Sequence, residues 1–182
     1  MKIYVTGLGV VSGIGLGVAE NIASLRKHQH GMRKVTLFPT ELDVPVSEVK
    51  YSNEELKRLL SLDIQKTFSR TALLGMLAAR EAVDDARLDL NTLRVGLISS
   101  TSVGGMDLSE HFYNAFKKDN RKRRLREVIS HDCGASTEMI ADYLKVNDFV
   151  TTISTACSSA ANAIMLGARM IRNDQLDAAI VG

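Results

Sequence analysis

Cys157 is a thiol placed where a strand-like run meets a helix-like one. It lies in Thr155-Ala156-Cys157-Ser158-Ser159-Ala160. Ahead of it, the apolar and β-branched run Phe149 to Ser154 predicts a buried strand; behind it, Ala161 to Arg172 predicts a helix. A thiol at such a turn is placed like a nucleophile, because the helix N-terminus stabilises negative charge and so favours a thiolate. Position alone fits a buried structural cysteine equally well. The small residues Ala156, Ser158, Ser159 and Ala160 suit both readings: they allow close helix packing and they leave room for a substrate.

Other residues capable of chemistry carry weaker signals. His28 and His30 sit in a polar segment and read as solvated. His131, beside Asp132 and Cys133, invites a Cys–His pair or a metal site, but no second cluster at ligand spacing supports a metal. His111 has no partner motif, and Cys133 reads as structural. Gly7-x-Gly9-x-x-Ser12 suggests a dinucleotide loop, yet it lacks the third glycine and an acidic strand end about 20 residues on. A tight turn after a first strand is the better reading. Arg121-Lys122-Arg123-Arg124-Leu125-Arg126 places five cations in six residues. It reads as a solvated loop or as a docking patch for an acidic partner. No aromatic residues are interleaved with the cations, which argues against nucleic acid.

The elements that would position these groups alternate between strand and helix. Apolar runs at Lys2 to Val10, Arg94 to Ser100, Phe149 to Ser154 and Ala178 to Val181 predict strands. Helices are predicted over Ala19 to Lys27, from the capping box at Ser52-Asn53-Glu54-Glu55, over Lys66 to Arg87, Met106 to Lys118, Thr137 to Leu144 and Ala161 to Arg172. This order predicts an α/β fold whose sheet is at least partly parallel. The helix after Cys157 is apolar nearly all round, which predicts burial on all sides, under further layers that need not belong to these 182 residues. A terminal apolar strand with nothing after it predicts an unfinished sheet and a truncated protein. The composition is that of an ordinary globular domain: 182 residues, 45% hydrophobic, 24% charged, formal net charge +2. Two cysteines without a disulfide framework predict a reduced, cytoplasmic setting. Five glycines interrupt residues 1–20, so no signal peptide is expected, and no run is long enough for a membrane span.

Three motifs together resemble one family. Val5-Thr6-Gly7-Leu8-Gly9-Val10-Val11-Ser12 resembles the opening strand of β-ketoacyl carrier-protein synthases. Ser100-Thr101-Ser102-Val103-Gly104-Gly105 resembles their glycine-rich segment, and Thr155 to Ala160 resembles their nucleophile motif. The resemblance covers essentially the whole chain in the family's order. It implies a thiolase-like fold, with this chain as the N-terminal layered α/β half: a mixed sheet with helices on both faces. It implies that Cys157 takes an acyl group from a phosphopantetheine thioester, and that the Cys157 N–H serves as an oxyanion donor. Malonyl decarboxylation would then supply the attacking carbanion. Two histidines and a lysine that such synthases use belong to a C-terminal half, so these 182 residues alone are expected to be inactive. Acyl carrier protein is the implied partner, with Arg121, Lys122, Arg123, Arg124, Arg126, Lys66 and Arg70 as docking residues, and the full-length protein as a homodimer. No cofactor, metal, nucleic acid or membrane is implied. Two other readings remain: a coenzyme-A condensing enzyme of the same superfamily, and a non-catalytic chain-length partner. Cys157 argues against the second.

Overall fold

A computed structural model describes residues 1–119, 121 and 126–182. In chain order its elements are β1 (Val11–Ser12), β2 (Gly15–Leu16), α1 (Val18–Arg26), α2 (Asn53–Leu59), α3 (Arg70–Ala86), β3 (Val95–Ser100), α4 (Met106–Phe116), α5 (Arg126–Ile129), α6 (Cys133–Leu144), β4 (Phe149–Ile153), a 3-10 turn (Ala156–Ser158), α7 (Ser159–Arg172) and β5 (Ala178–Val181). β4, β3 and β5 form a parallel sheet in that spatial order, while β1 and β2 pair antiparallel apart from it.

Alternation along β3 and β5 builds the layers. Val95 and Leu97 face one way, with Ala178 and Ile180 beside them, onto Met76, Ile140, Ala141 and Leu144 of α3 and α6. Ile98 faces the other way, and Gly167 of α7 lies close to it and to Ala179 and Val181. The sheet therefore has helices on both faces, as expected. Leu56, Leu73, Met76 and Ile98 are completely buried. Each removes a full aliphatic side chain from water, a contribution of about 1.5–3 kcal/mol apiece.

Polar pins set the register. Asp148 accepts the Val95 N–H at 2.8 Å. Asp177 accepts the Arg94 N–H and, through both carboxylate oxygens, the Arg94 guanidinium, tying the start of β3 to the start of β5. The guanidinium hydrogen bonds, and then the Arg94 N–H, hold the Asp177 carboxyl down at about 2. A carboxyl lowered on folding stabilises the fold above its unfolded value and loses that contribution as pH falls through its folded one. The Asp177 contribution is thus complete above about pH 4 and disappears toward pH 2. An NMR carboxyl titration with a midpoint near 2 is the expected result. A midpoint at the ordinary aspartate value would contradict the pinning.

Several elements differ from their sequence-based expectation. Lys2 to Val10 has the composition of a strand but pairs with none among the described residues. It crosses α3 instead. A Cβ on Gly7 or Gly9 would run into backbone of Ala82, Ala86 and Ala78, one small residue per turn of that helix. The Leu8 N–H donates to Asp85 at 2.9 Å. Glu81 accepts from both the Val10 and Val18 N–H groups, at 3.0 and 2.7 Å. Gly7-x-Gly9 is therefore a close helix crossing, and the tight turn falls at Gly13-Ile14 between β1 and β2.

Caps explain the shifted helix starts. The Ser69 hydroxyl accepts the Ala72 N–H, so α3 begins at Arg70 and leaves Lys66 in the preceding turn. Asp132 caps α6, which therefore starts at Cys133, four residues before the expected Thr137. The Ser52–Glu55 capping box forms as read. β4 is an edge strand and only half-buried, with Val150 37% exposed. Within this chain α7 is covered on one side only, in line with a helix whose further layers lie elsewhere. Ser159, Ala163 and Gly167 form its buried stripe, while Ile164 and Met165 are 56% and 44% exposed.

Candidate active site

Parallel pairing brings two of the three motifs to one edge of the sheet. Ser100, the last residue of β3, stands opposite Ile153, the last of β4. The glycine-rich segment and the cysteine turn therefore leave the sheet side by side at its C-terminal edge, where open α/β sheets place their ligands. β5 ends there as well, and the Ser100 N–H donates to the Gly182 carbonyl.

The cysteine turn is strained and tightly bonded. Thr155 adopts φ −128°, ψ 42°, and Ala156 has φ 51°. A non-glycine residue in the left-handed region costs about 1–3 kcal/mol and persists only where its surroundings hold it. Here the Thr155 N–H donates to Ser159 Oγ at 2.8 Å, and Ser159 Oγ donates to the Ala156 carbonyl at 2.8 Å. Ser158 Oγ donates to the Thr155 carbonyl at 2.8 Å. Asn162 Nδ2 donates to Thr155 Oγ1 at 2.9 Å. Below the turn, Thr137 Oγ1 of α6 and Thr152 Oγ1 of β4 share a 2.6 Å hydrogen bond.

The consequence is an exposed Cys157 in a one-turn helix that leads directly into α7. Among the described residues no acceptor takes the Cys157 N–H, which leaves it free for an oxyanion. The arrangement suits attack on an acyl carbonyl: a thiol in front, a free N–H beside it, and the start of α7 behind. The serine hydroxyls are engaged with backbone, so neither Ser158 nor Ser159 competes as a nucleophile.

The glycine-rich segment has a packing role. Gly104 has φ 57°, and a Cβ there would press on the backbone of Asp132 and Cys133. A Cβ on Gly105 would be driven into the Ser130 carbonyl. The segment thus seats the start of α4 against the entry to α6. Cys133 is half-buried in that seat, in keeping with a structural role.

The remaining candidates lie elsewhere. His131 Nδ1 is 2.9 Å from Ser109 Oγ and does not pair with Cys133 or Cys157. His111 is exposed on α4, and His28 and His30 border a shallow surface hollow with Arg33 and Lys50. No cluster among the described residues has the composition of a metal site, and no helix among them is long and apolar enough to cross a membrane. Of the docking set, Lys122, Arg123 and Arg124 fall outside the described residues, as does the Arg126 side chain. Arg121 and Lys66 are exposed. Arg70 is not available: its guanidinium donates to the Val49 and Tyr51 carbonyls and to Asn53 Oδ1, at 2.7, 2.9 and 2.9 Å, strapping the segment before α2 onto α3. It leaves the docking set for that reason.

Asn162 is the residue at this turn that lies outside the Thr155 to Ala160 motif. A signal was present. Asn162 is the lone carboxamide in an alanine-rich apolar helix, four residues after Ser158 and seven after Thr155, a spacing that places all three on one face.

The structure is a layered α/β unit with an exposed thiol on a strained strand-to-helix elbow. The chain matches the family described as "Beta-ketoacyl synthase, N-terminal domain" over residues 1–182, and it belongs to that family. It is 27% identical to "3-oxoacyl-[acyl-carrier-protein] synthase 2" of Coxiella burnetii, covering 100% of this chain and 45% of that protein. The ishigamide ketosynthase/chain length factor structure superposes with a TM-score of 0.81 at 27% identity, covering 98% of this chain and 46% of that one. A ketosynthase in complex with its chain length factor from Xenorhabdus doucetiae shares the fold, with a TM-score of 0.74 at 23% identity over 98% of this chain and 46% of that one. The chain thus spans a little under half the length of these relatives and corresponds to their N-terminal half.

Proposed function

We propose that the whole protein is a β-ketoacyl carrier-protein synthase and that Cys157 is its nucleophile. The observation that carries this reading is the exposed Cys157 on its bonded elbow, with a free N–H beside it. The thiolate Sγ attacks the thioester carbonyl and an S–C bond forms. The phosphopantetheine sulfur leaves as a thiolate and takes up a proton. The acyl-enzyme is then attacked by the carbanion left when a malonyl thioester loses carbon dioxide; the C–C bond forms and Cys157 is released as thiolate. The groups that promote decarboxylation are assigned to the part of the relatives' length that this chain does not cover. These 182 residues alone are proposed to be inactive. The partner is an acidic acyl carrier protein. It docks on the basic run from Arg121 to Arg126 together with Lys66, and the full-length protein works as a homodimer in the cytoplasm.

The test is acylation of the full-length protein by acyl carrier protein and, separately, by acyl-coenzyme A, followed by peptide mass analysis. The expected outcome is acyl transfer from the carrier protein to Cys157, with Cys133 unmodified. Faster transfer from coenzyme A would move the protein to the coenzyme-A branch of the superfamily. No transfer from either would favour a non-catalytic chain-length partner.

A further inference from the structure

We propose that Asn162 is a positioning residue for Cys157, acting through Thr155 and Ser158; the inference rests on Cys157 being the nucleophile. The bonds made by Ser158 and Ser159 are local to the turn, reaching three or four residues back. Asn162 reaches back from the next turn of α7. Its two amide hydrogens go to Thr155 Oγ1 at 2.9 Å and Ser158 Oγ at 3.4 Å. It thereby ties the first regular turn of the helix to the residue two before the nucleophile. Thr155 and Ala156 hold the irregular dihedrals of the elbow, so the bond to Thr155 restrains the part of the backbone that regular helix geometry does not.

The same amide orients Ser158. With Asn162 Nδ2 donating to it, the Ser158 hydroxyl directs its own hydrogen to the Thr155 carbonyl at 2.8 Å. Without the amide, that hydroxyl can turn between the Thr155 carbonyl and Thr155 Oγ1, 3.1 Å away. The elbow then has room to relax. Cys157 Sγ and the Cys157 N–H move together, because both belong to the one residue inside this clamp. Attack on a carbonyl needs the sulfur and the oxyanion donor placed at once, and a displacement near 1 Å can cost about 100-fold in rate.

The experiment uses the full-length protein and single-turnover acylation by an acyl carrier protein. Asn162→Ala and Thr155→Val are each expected to lower the acylation rate constant about 10-fold or more, with KM unchanged. The double variant is expected to be no slower than the slower single one, because the two residues act through one bond. Thr155→Ser keeps the acceptor oxygen and is expected to restore the rate to within about twofold of wild type, since the hydrogen bond is retained. Alanine is the best helix former, so Asn162→Ala keeps α7 intact. Wild-type rates in Asn162→Ala, an effect on KM alone, or single effects that multiply would each overturn the proposal. If the wild-type protein takes no acyl group, the proposed function falls, and positioning is read instead from iodoacetamide labelling of Cys157 relative to Cys133. Positioning requires that ratio to change in Asn162→Ala; an unchanged ratio overturns it.

Discussion

On the proposed function, Cys157→Ala is expected to remove acyl transfer from the full-length protein, with a fall of at least about 1,000-fold, the scale on which loss of a covalent nucleophile is felt. The fold should survive the change. Cys157 is exposed, and the turn is held by the hydroxyls of Thr155, Ser158 and Ser159 and by the Asn162 amide, not by the thiol. Thermal unfolding of Cys157→Ala should therefore match wild type while acyl-enzyme formation, followed by intact mass, is absent. Retained acylation at another residue would remove Cys157 from the reaction. Cys157→Ser is a sharper version. The oxygen keeps the shape of the site but is a far weaker nucleophile at neutral pH, so transfer should remain close to the alanine level.

Gly105→Ala is the second large effect, and it acts on stability. Gly105 is buried, and the atom that an added Cβ would strike is the Ser130 carbonyl, which belongs to the backbone and cannot rotate away. Overpacking of this kind costs about 1–3 kcal/mol, and the rigidity of the obstacle places Gly105→Ala toward the upper end. Gly134→Ala is the control. It lies in α6, where a Cβ meets only Asp132 Oδ1 at 4.0 Å. That substitution should be neutral or stabilising by up to about 1 kcal/mol, because alanine restricts the unfolded chain and favours helix. Urea denaturation of the pair separates the two cases. Equal midpoints would show that the seat between the glycine segment and α6 is looser than its geometry.

What was legible in the sequence was whatever carried a strong apolar period or a specific local motif. β3, β5 and α2 lie within a residue or so of their expected places, because their apolar runs and capping box are local signals. The placement of Cys157 between a strand and a helix could be read because thiol, small neighbours, strand and helix all lie within a short stretch of chain. Other features depended on contacts distant in sequence. The N-terminal run has the side chains of a strand, but its backbone N–H groups go to carboxylates of α3. Its glycines serve a helix crossing that no local rule anticipates. Arg70 looked like a surface cation until the Val49 and Tyr51 carbonyls were placed around it. The all-apolar character of α7 predicts burial under further layers, which this chain does not have to supply. The described residues cover only the stripe of Ser159, Ala163 and Gly167, and the opposite side carries Ile164 and Met165 in the open.

The crossing of the first residues over α3 has a consequence for how the protein is made. The Leu8–Asp85 hydrogen bond joins positions 77 residues apart. On a ribosome adding about 5–20 residues per second, the helix that receives the opening segment is not complete until roughly 4–15 s after that segment has been synthesised. During that interval the Leu8 and Val10 N–H groups lack the Asp85 and Glu81 carboxylates that take them in the folded chain, and segments left waiting in this way are where nascent chains attract chaperones or misassemble. Gly7 and Gly9 ease the eventual docking by letting two backbones meet without side chains between them. The segment that crosses α3 thus waits for its hydrogen-bond partners on chain made well after it.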